Sequence, residues 1–383
     1  MRTMRGNQGN DVNPWLEQFA MGNDDDDYMN YPNTTGIMNV TAINDGIPAV
    51  WDSWNPPHAL RVSRFYYSMI AIYMSFLFVC SFSFNMLVLL TAYHNRSIRT
   101  PLNYIVINLT VADLLAVLSS NTLNVMANVA GHFFAGKWMC TMEGYIASVG
   151  GIAGLMSIAV MAFERFFVIC KPFGPVRFNE KHAIIGIAFT WIYSILWNTP
   201  PMIFWDGYEA EGIGTNCAPN YFVTEPGKRM FIVMYFVWCF VVPFFIIAIS
   251  YTKLIMKLRE MKKATMVQSS RGVSADEEVT KMVVVMVFAF CFCWTPYAVV
   301  SMYTVITYQT NYALSALPAF FAKSATVYNP LIYIGLNKQF RDATIRYIFN
   351  GKHPWAEDVV SSSMAPSSMS AMTTVSTNKV GPA

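Results

Sequence analysis

Apolar residues along this chain come in blocks of roughly 20–25 residues and not in alternation with polar ones. A block of that length is what a helix needs to cross a bilayer, and strand periodicity is missing. About seven such blocks stand out, near 65–91, 102–126, 139–170, 183–205, 229–255, 280–305 and 313–335. The pattern predicts an all-α membrane protein, a seven-helix bundle at 63–337. A polar segment (1–62) precedes it, and a short polar stretch (338–350) and a Ser/Thr-rich tail (351–383) follow it. No continuous apolar core marks the first 60 residues, so the first span is expected to start insertion itself.

Composition agrees. The chain is 54% hydrophobic and 13% charged, too oily for an ordinary soluble domain of 383 residues. The positive charges sort by loop. One side collects Arg96, Arg99, Lys171, Arg177 and Lys181, then Lys257, Arg259, Lys262, Lys263 and Arg271, then Lys338, Arg341 and Arg346. The other side has few, and the N-terminal segment carries the acidic run Asp24–Asp27. The bias of Lys and Arg toward the cytoplasm places the N-terminus outside. A net charge of +3 therefore reflects membrane topology and argues against nucleic-acid binding. Asn33 and Asn39 head sequons in the outer tail and fit glycosylation, whereas the Asn95 and Asn108 sequons fall at the cytoplasmic side or in the membrane. Of seven cysteines only Cys140 and Cys217 lie on the outer side, where an oxidising compartment favours a disulfide between them.

Polar residues inside the spans need a reason, because each is costly in lipid. Asn85, Asp113 and Asn329 are three unrelated polar residues, or they share one cluster at the bundle centre. Glu164–Arg165 is a plain pair at a helix end, or a latch with Arg165 reaching Asp276. Trp294 sits beside Pro296, which kinks a helix by withholding its N–H.

The costliest residue is Lys323, in AFFAKSATVYNP (319–330). Counted from the start of its span it lies on the order of 15 Å deep, where a charged side chain costs about 3 kcal/mol. Burial that disfavours the ammonium frees a lone pair that can attack an aldehyde. Two acids could answer its charge. Glu143 is one turn beyond Cys140, and Glu211 is six residues before Cys217, in a loop the disulfide would pin over the pocket. On residue types alone, an ion pair with Glu143 and no ligand chemistry is an equal reading.

The set Asn85; Leu109, Ala112 and Asp113; Glu164–Arg165; Cys293-Trp294-Thr295-Pro296; and Asn329-Pro330-x-x-Tyr333 resembles the rhodopsin-like G-protein-coupled receptors, from about residue 60 to 350. ALPAFFAKSATVYNP, MEGY after Cys140 and Trp294-x-x-Tyr297 look like an opsin. The resemblance implies 11-cis-retinal bound covalently to Lys323 as a Schiff base, with Glu143 at the counterion position of vertebrate visual and related opsins. Glu211 then matches a second acidic position. It implies a short amphipathic helix at 338–350 after the seventh span, and a pocket lined by Ser148, Gly151, Tyr221, Phe236, Phe240, Phe290, Trp294, Tyr297 and Ala319. It also implies a heterotrimeric G protein of the transducin or inhibitory type as partner, with Glu164, Arg165, Asp276, Asn329, Pro330 and Tyr333 in the switch. Tail residues Ser363, Ser367, Ser368, Ser370, Thr373, Thr374 and Ser376 would take phosphate from a receptor kinase and be read by arrestin. The last four residues, Val380 to Ala383, resemble the ciliary ending of photoreceptor opsins, which implies a plasma or ciliary photoreceptor membrane. Glu143, NKQFRD and the tail point to a vertebrate-type ciliary opsin; Ile152 and Pro219 point to the cone and pineal side, away from rods. NTPP and GTNCAPNY favour a non-visual role. Two rivals differ in class: a retinal photoisomerase, against which the intact Glu164–Arg165 and Asn329–Tyr333 motifs speak, and a receptor for a diffusible ligand, which would have no chromophore.

Overall fold

The computed structural model describes residues 62–171, 178–205, 207–221, 223–265, 271–307, 312–351 and 354, with backbone alone at 262–277 and 312–314. Asn33, Asn39, the tail Ser and Thr residues and the side chain of Asp276 lie outside what is described. Helices α1 (Arg64–His94), α2 (Pro101–Ala130), α3 (Gly136–Cys170), α4 (Glu180–Phe204), α5 (Pro226–Met261, running on to Thr265) and α6 (Arg271–Thr307) are followed by α7 (Tyr312–Ala322), α8 (Ala325–Leu336) and α9 (Lys338–Ile348). Among the described residues six helices are long and apolar enough to cross a membrane. The seventh crossing is split: α7 and α8 have 11 and 12 residues and meet at Lys323–Ser324. Large apolar side chains such as Ile72, Phe76, Ile185, Leu196, Phe245 and Phe292 face outward, as a lipid-facing surface requires.

The split has a local cause. Ser324 N–H bonds the Phe321 carbonyl and Val327 N–H bonds the Ser324 carbonyl, both at 3.0 Å, so the turn tightens to three-residue spacing. Hydroxyls take carbonyls of the same turn: Ser324 donates to Phe321 O, which its own N–H also uses, and Thr326 donates to Lys323 O. One turn on, Pro330 has no N–H for the Thr326 carbonyl. That carbonyl instead accepts from Asn85 Nδ2 at 2.9 Å and Ser81 Oγ at 3.0 Å, tying α1 to the break.

α3 runs through the middle of the bundle, with Leu155, Ile158 and Met161 fully buried against Leu109 of α2, Leu254 of α5 and Met286 of α6. Buried polar groups are answered in pairs. Asn108 Nδ2 donates to Ser157 at 2.9 Å and Thr190 at 3.3 Å, and its oxygen accepts from Trp191 Nε1 at 2.7 Å, joining α2, α3 and α4. This seats the Asn108 sequon inside the bundle. Asn329 Nδ2 donates to Asp113 at 3.0 Å, while Asn85 is bonded to Ser81 and the Thr326 carbonyl. The expected trio is thus two neighbouring bonded groups. At the α9 end, Arg165 pairs with its own neighbour Glu164. Asn337 caps α9 by accepting from Phe340 N–H at 3.1 Å, and Phe340 is buried beside Tyr333.

At the other end, β1 (Tyr208–Glu211) and β2 (Asn216–Pro219) form an antiparallel hairpin whose turn contains Gly212 and Gly214 at φ +61° and +75°. The Cys140–Cys217 disulfide spans 77 residues and holds β2 on the first turns of α3, a cross-link worth on the order of 4 kcal/mol by loop entropy. Contact is close enough that only glycine fits at 144. A Cβ there would stand 2.8 Å from the Tyr208 ring and 3.2 Å from the backbone of Cys217 and Ala218.

Gly144→Ala is expected to destabilise the protein by about 1–3 kcal/mol through overpacking. Thermal unfolding in detergent checks this, with Gly227→Ala, where nothing lies within 4 Å, as the neutral control.

Candidate functional site

The hairpin, α3, α5, α6 and the α7–α8 break enclose a largely apolar cavity. Its wall contains Ser148, Gly151, Glu211, Tyr221, Phe236, Phe240, Phe290, Trp294, Tyr297, Ala319 and Lys323. Glu143, alone of the twelve residues expected to hold the ligand, sits behind the wall. Periodicity explains the convergence. Phe290 and Trp294 are four apart on α6 and stack at 5.6 Å, as Phe236 and Phe240 do on α5 at 5.4 Å. Gly151 lets the Trp294 ring lie against α3, since a Cβ there would meet the indole at 3.0 Å.

Lys323 projects from the break. Its ammonium donates to the Ser120 hydroxyl and, at 3.3 Å, to Glu143 Oε1, and its side chain is 13% exposed. Glu143 is fully buried and answered by more than the lysine. Oε1 also accepts from Ser120 and from Asn124 Nδ2 at 3.1 Å, and Oε2 accepts from the Cys217 backbone N–H at 2.7 Å. That last donor is delivered by the disulfide, which fixes β2 one turn from Glu143.

Glu211 stands differently. Its carboxyl accepts from Asn216 Nδ2 at 2.6 Å and from the Tyr297 hydroxyl at 3.2 Å to each oxygen. Burial pushes it up to about 8, against the pull of the Lys323 charge and the Tyr297 hydroxyl. Burial also lifts its neighbour Glu209 to about 7. The Tyr221 phenol is likewise raised, first by burial and then by the Glu211 charge. Glu143 is thus the acid in the ion pair, and Glu211 is held by neutral donors in a site that favours its protonated form.

Sequence reasoning missed Ser120, Asn124 and the Cys217 N–H. A signal for the first two was present: Ser119, Ser120, Asn121, Thr122 and Asn124 interrupt an apolar span. It also missed a network on the cavity's far wall, where the hydroxyls of Tyr208 and Tyr235 both donate to Asn198 Oδ1, at 3.2 and 3.0 Å. Asn198 is buried in α4, next to the Pro200–Pro201 pair.

Comparison with known proteins matches this architecture. Residues 84–333 fit the family described as 7 transmembrane receptor (rhodopsin family). The chain is similar to the pinopsin of Columba livia, 40% identical over 311 residues, covering 80% of this chain and 88% of that protein. It is similar to a rhodopsin of Lethenteron camtschaticum, 42% identical over 322 residues, covering 83% and 90%. It is also similar to the parapinopsin of Ictalurus punctatus, 39% identical over 295 residues, covering 76% and 85%. In structure it resembles squid rhodopsin with a TM-score of 0.72 at 25% identity, covering 78% of this chain and 91% of that one. A broken seventh crossing with a paired lysine, an apolar aromatic cavity and these likenesses converge: the chain belongs to the opsins, seven-transmembrane receptors of the rhodopsin family, and to their pineal and cone type.

Proposed function

We propose that this chain is a light receptor that holds 11-cis-retinal on Lys323 and passes the signal to a heterotrimeric G protein. The observation that carries the reading is the Lys323–Glu143 pair at the wall of an aromatic cavity. When bound, retinal supplies an aldehyde that condenses with the lysine amine with loss of water, and a polyene that light isomerises. The residues present fit such a group: apolar rings flank the cavity, and the only amine in its wall among the described residues already has a carboxylate in place.

The chain's own groups divide the work. Glu143 compensates positive charge on the Lys323 nitrogen and keeps a proton there at neutral pH. Glu211, in its protonating surroundings, adds little charge in the dark. Trp294 packs between Gly151 and Tyr297, two residues from Pro296, where α6 lacks a hydrogen bond and can bend. A shape change in the cavity is felt there first. At the α9 end the Glu164–Arg165 pair and the Asn329–Asp113 and Tyr333–Thr110 bonds hold the resting packing. Signalling is then a shift of population between two packings, and the α9 end opens to the G protein. The reading extends to an outside N-terminus with glycans on Asn33 and Asn39, to tail phosphorylation and arrestin binding, and to a non-visual, pineal role.

Expressed protein given 11-cis-retinal in darkness should show an absorption band that illumination changes, and Lys323→Ala should lack it. A well-folded wild type with no band would instead leave Lys323 as an ion-pair residue in a receptor for a diffusible ligand. Glu143→Gln should move the band to shorter wavelength at neutral pH, while Glu211→Gln leaves it near its place; the reverse ranking would make Glu211 the compensating charge. For ligand-free protein, the folded Glu211 carboxyl binds its proton more tightly than the unfolded one, whose ordinary value is 4.5. Its contribution to stability therefore falls as pH rises from about 4.5 to about 8. Melting temperature should decline across that window, and Glu211→Gln should flatten the decline.

A further inference from the structure

The cavity wall farthest from Lys323 is more polar than the end of an apolar ligand requires. α5 packs against α3 and α6, away from the α7–α8 break. Ser148 of α3 and Tyr235 of α5 bring hydroxyls to this wall, and Cys239 a buried thiol, among apolar neighbours such as Ile152 and Phe240. Behind them Asn198 of α4 is fully buried, its Nδ2 tethered to the Ser194 carbonyl at 2.7 Å. Its Oδ1 accepts from Tyr208 of β1 at 3.2 Å and from Tyr235 at 3.0 Å.

The bundle does not need the Tyr235 bond. Tyr208 alone satisfies Asn198 Oδ1 and ties the hairpin to α4, since it also reaches the Asn198 main-chain carbonyl at 3.1 Å. α4 and α5 are joined separately: the Tyr193 hydroxyl donates to the Trp238 carbonyl at 2.8 Å, and Trp197 stacks on Trp238. That carbonyl is open to Tyr193 because Val242 N–H bonds Val237 O in the π turn and the next residue, Pro243, has no N–H. Phenylalanine at 235 would keep the packing and avoid burying a hydroxyl, which is costly unless it is bonded. The Tyr235 hydroxyl is thus surplus to the fold. Having given its proton to Asn198, its oxygen offers lone pairs. The Ser148 hydroxyl faces both phenols and can turn to donate or accept. A lone pair beside a rotatable hydroxyl matches a hydroxyl on the ligand, which donates to Tyr235 and accepts from Ser148. A ketone in that place only accepts and so uses Ser148 alone.

We propose that this wall selects a retinal carrying a hydroxyl on its ring, with Tyr235 as the specificity-determining residue, Ser148 as its partner and Asn198 positioning the phenol. The inference rests on the light-receptor reading, which anchors the aldehyde end at Lys323 and so delivers the ring to α5. A site that bonds a hydroxyl discriminates against the analogue lacking it, because its own polar groups are then left unpaired.

The test gives the full chain in detergent an equimolar mixture of 11-cis-retinal and its ring-hydroxylated analogue, the 3-hydroxy and the 4-hydroxy forms in separate runs, in darkness and short of saturation. Bound chromophores are released with hydroxylamine and their ratio is read by chromatography. Competition cancels differences in yield between preparations, so the ratio reports selection and not folding. Wild type should take up one hydroxylated form over plain retinal by about threefold to tenfold, the gain of one hydrogen bond. Tyr235→Phe, which keeps the ring and removes the hydroxyl, should bring the ratio toward unity. A purely structural Tyr235 would change melting temperature and total uptake and leave the ratio where wild type has it. Equal uptake by wild type, or a preference for plain retinal, overturns the proposal. So does a preference unchanged in Tyr235→Phe or, should that variant not fold, in Ser148→Ala. Protein that takes up neither retinal defeats the light-receptor reading and this proposal together, whereas uptake of both without preference defeats this proposal alone.

Discussion

A charged pair inside an apolar bundle is the constraint around which this molecule is arranged. Lys323 and Glu143 are 3.3 Å apart, with almost no water at the acid. Removing one partner of such a pair leaves a buried charge and costs about 3–5 kcal/mol. Everything near the pair reduces that exposure to error. The disulfide brings a backbone N–H to one carboxylate oxygen, α2 brings a hydroxyl and an amide to the other, and the α7–α8 break aims the lysine at them. The bundle does not need the pair for stability, since apolar residues of similar volume would serve as well or better. Its presence in a cavity wall is what the proposed function rests on.

The same economy of polar groups runs to the other end. Pro330 frees a carbonyl that Asn85 and Ser81 occupy, Asp113 is answered by Asn329, and Tyr333 by Thr110. Each bond joins two or more helices, so each can be exchanged when helices shift. Under the proposed function, these few interhelical bonds on the axis are the ones that a second packing would exchange.

Much of this was legible in the sequence. Span number follows from block length and the pairing of Cys140 with Cys217 from their place on the outer side, whereas the cavity residues came only from the resemblance to opsins, since each alone reads as core. Three features were not. The break at Lys323 arises where the Ser324 and Thr326 hydroxyls take carbonyls of the turn, which block length cannot register. The π turn adds a residue to one turn of α2 and so changes which face Ser120 and Asn124 present; a regular helical wheel misplaces both. Whether Asn85 shares a cluster with Asp113 stays open in the sequence, because depth alone does not tell which carbonyl a proline leaves open. Asp276, proposed as a latch for Arg165, lies where side chains are not described, and the pair that is described is Arg165 with Glu164.

Lys323 is the residue proposed to carry the chromophore. The most direct measurement is chemical: incubate the folded protein with 11-cis-retinal in darkness, reduce with borohydride, digest, and locate the modified lysine by mass spectrometry. A retinyl group on the peptide containing Lys323, and on no other lysine, is the predicted result. No adduct on a folded protein, or an adduct spread over the lysines of the loops, would contradict it.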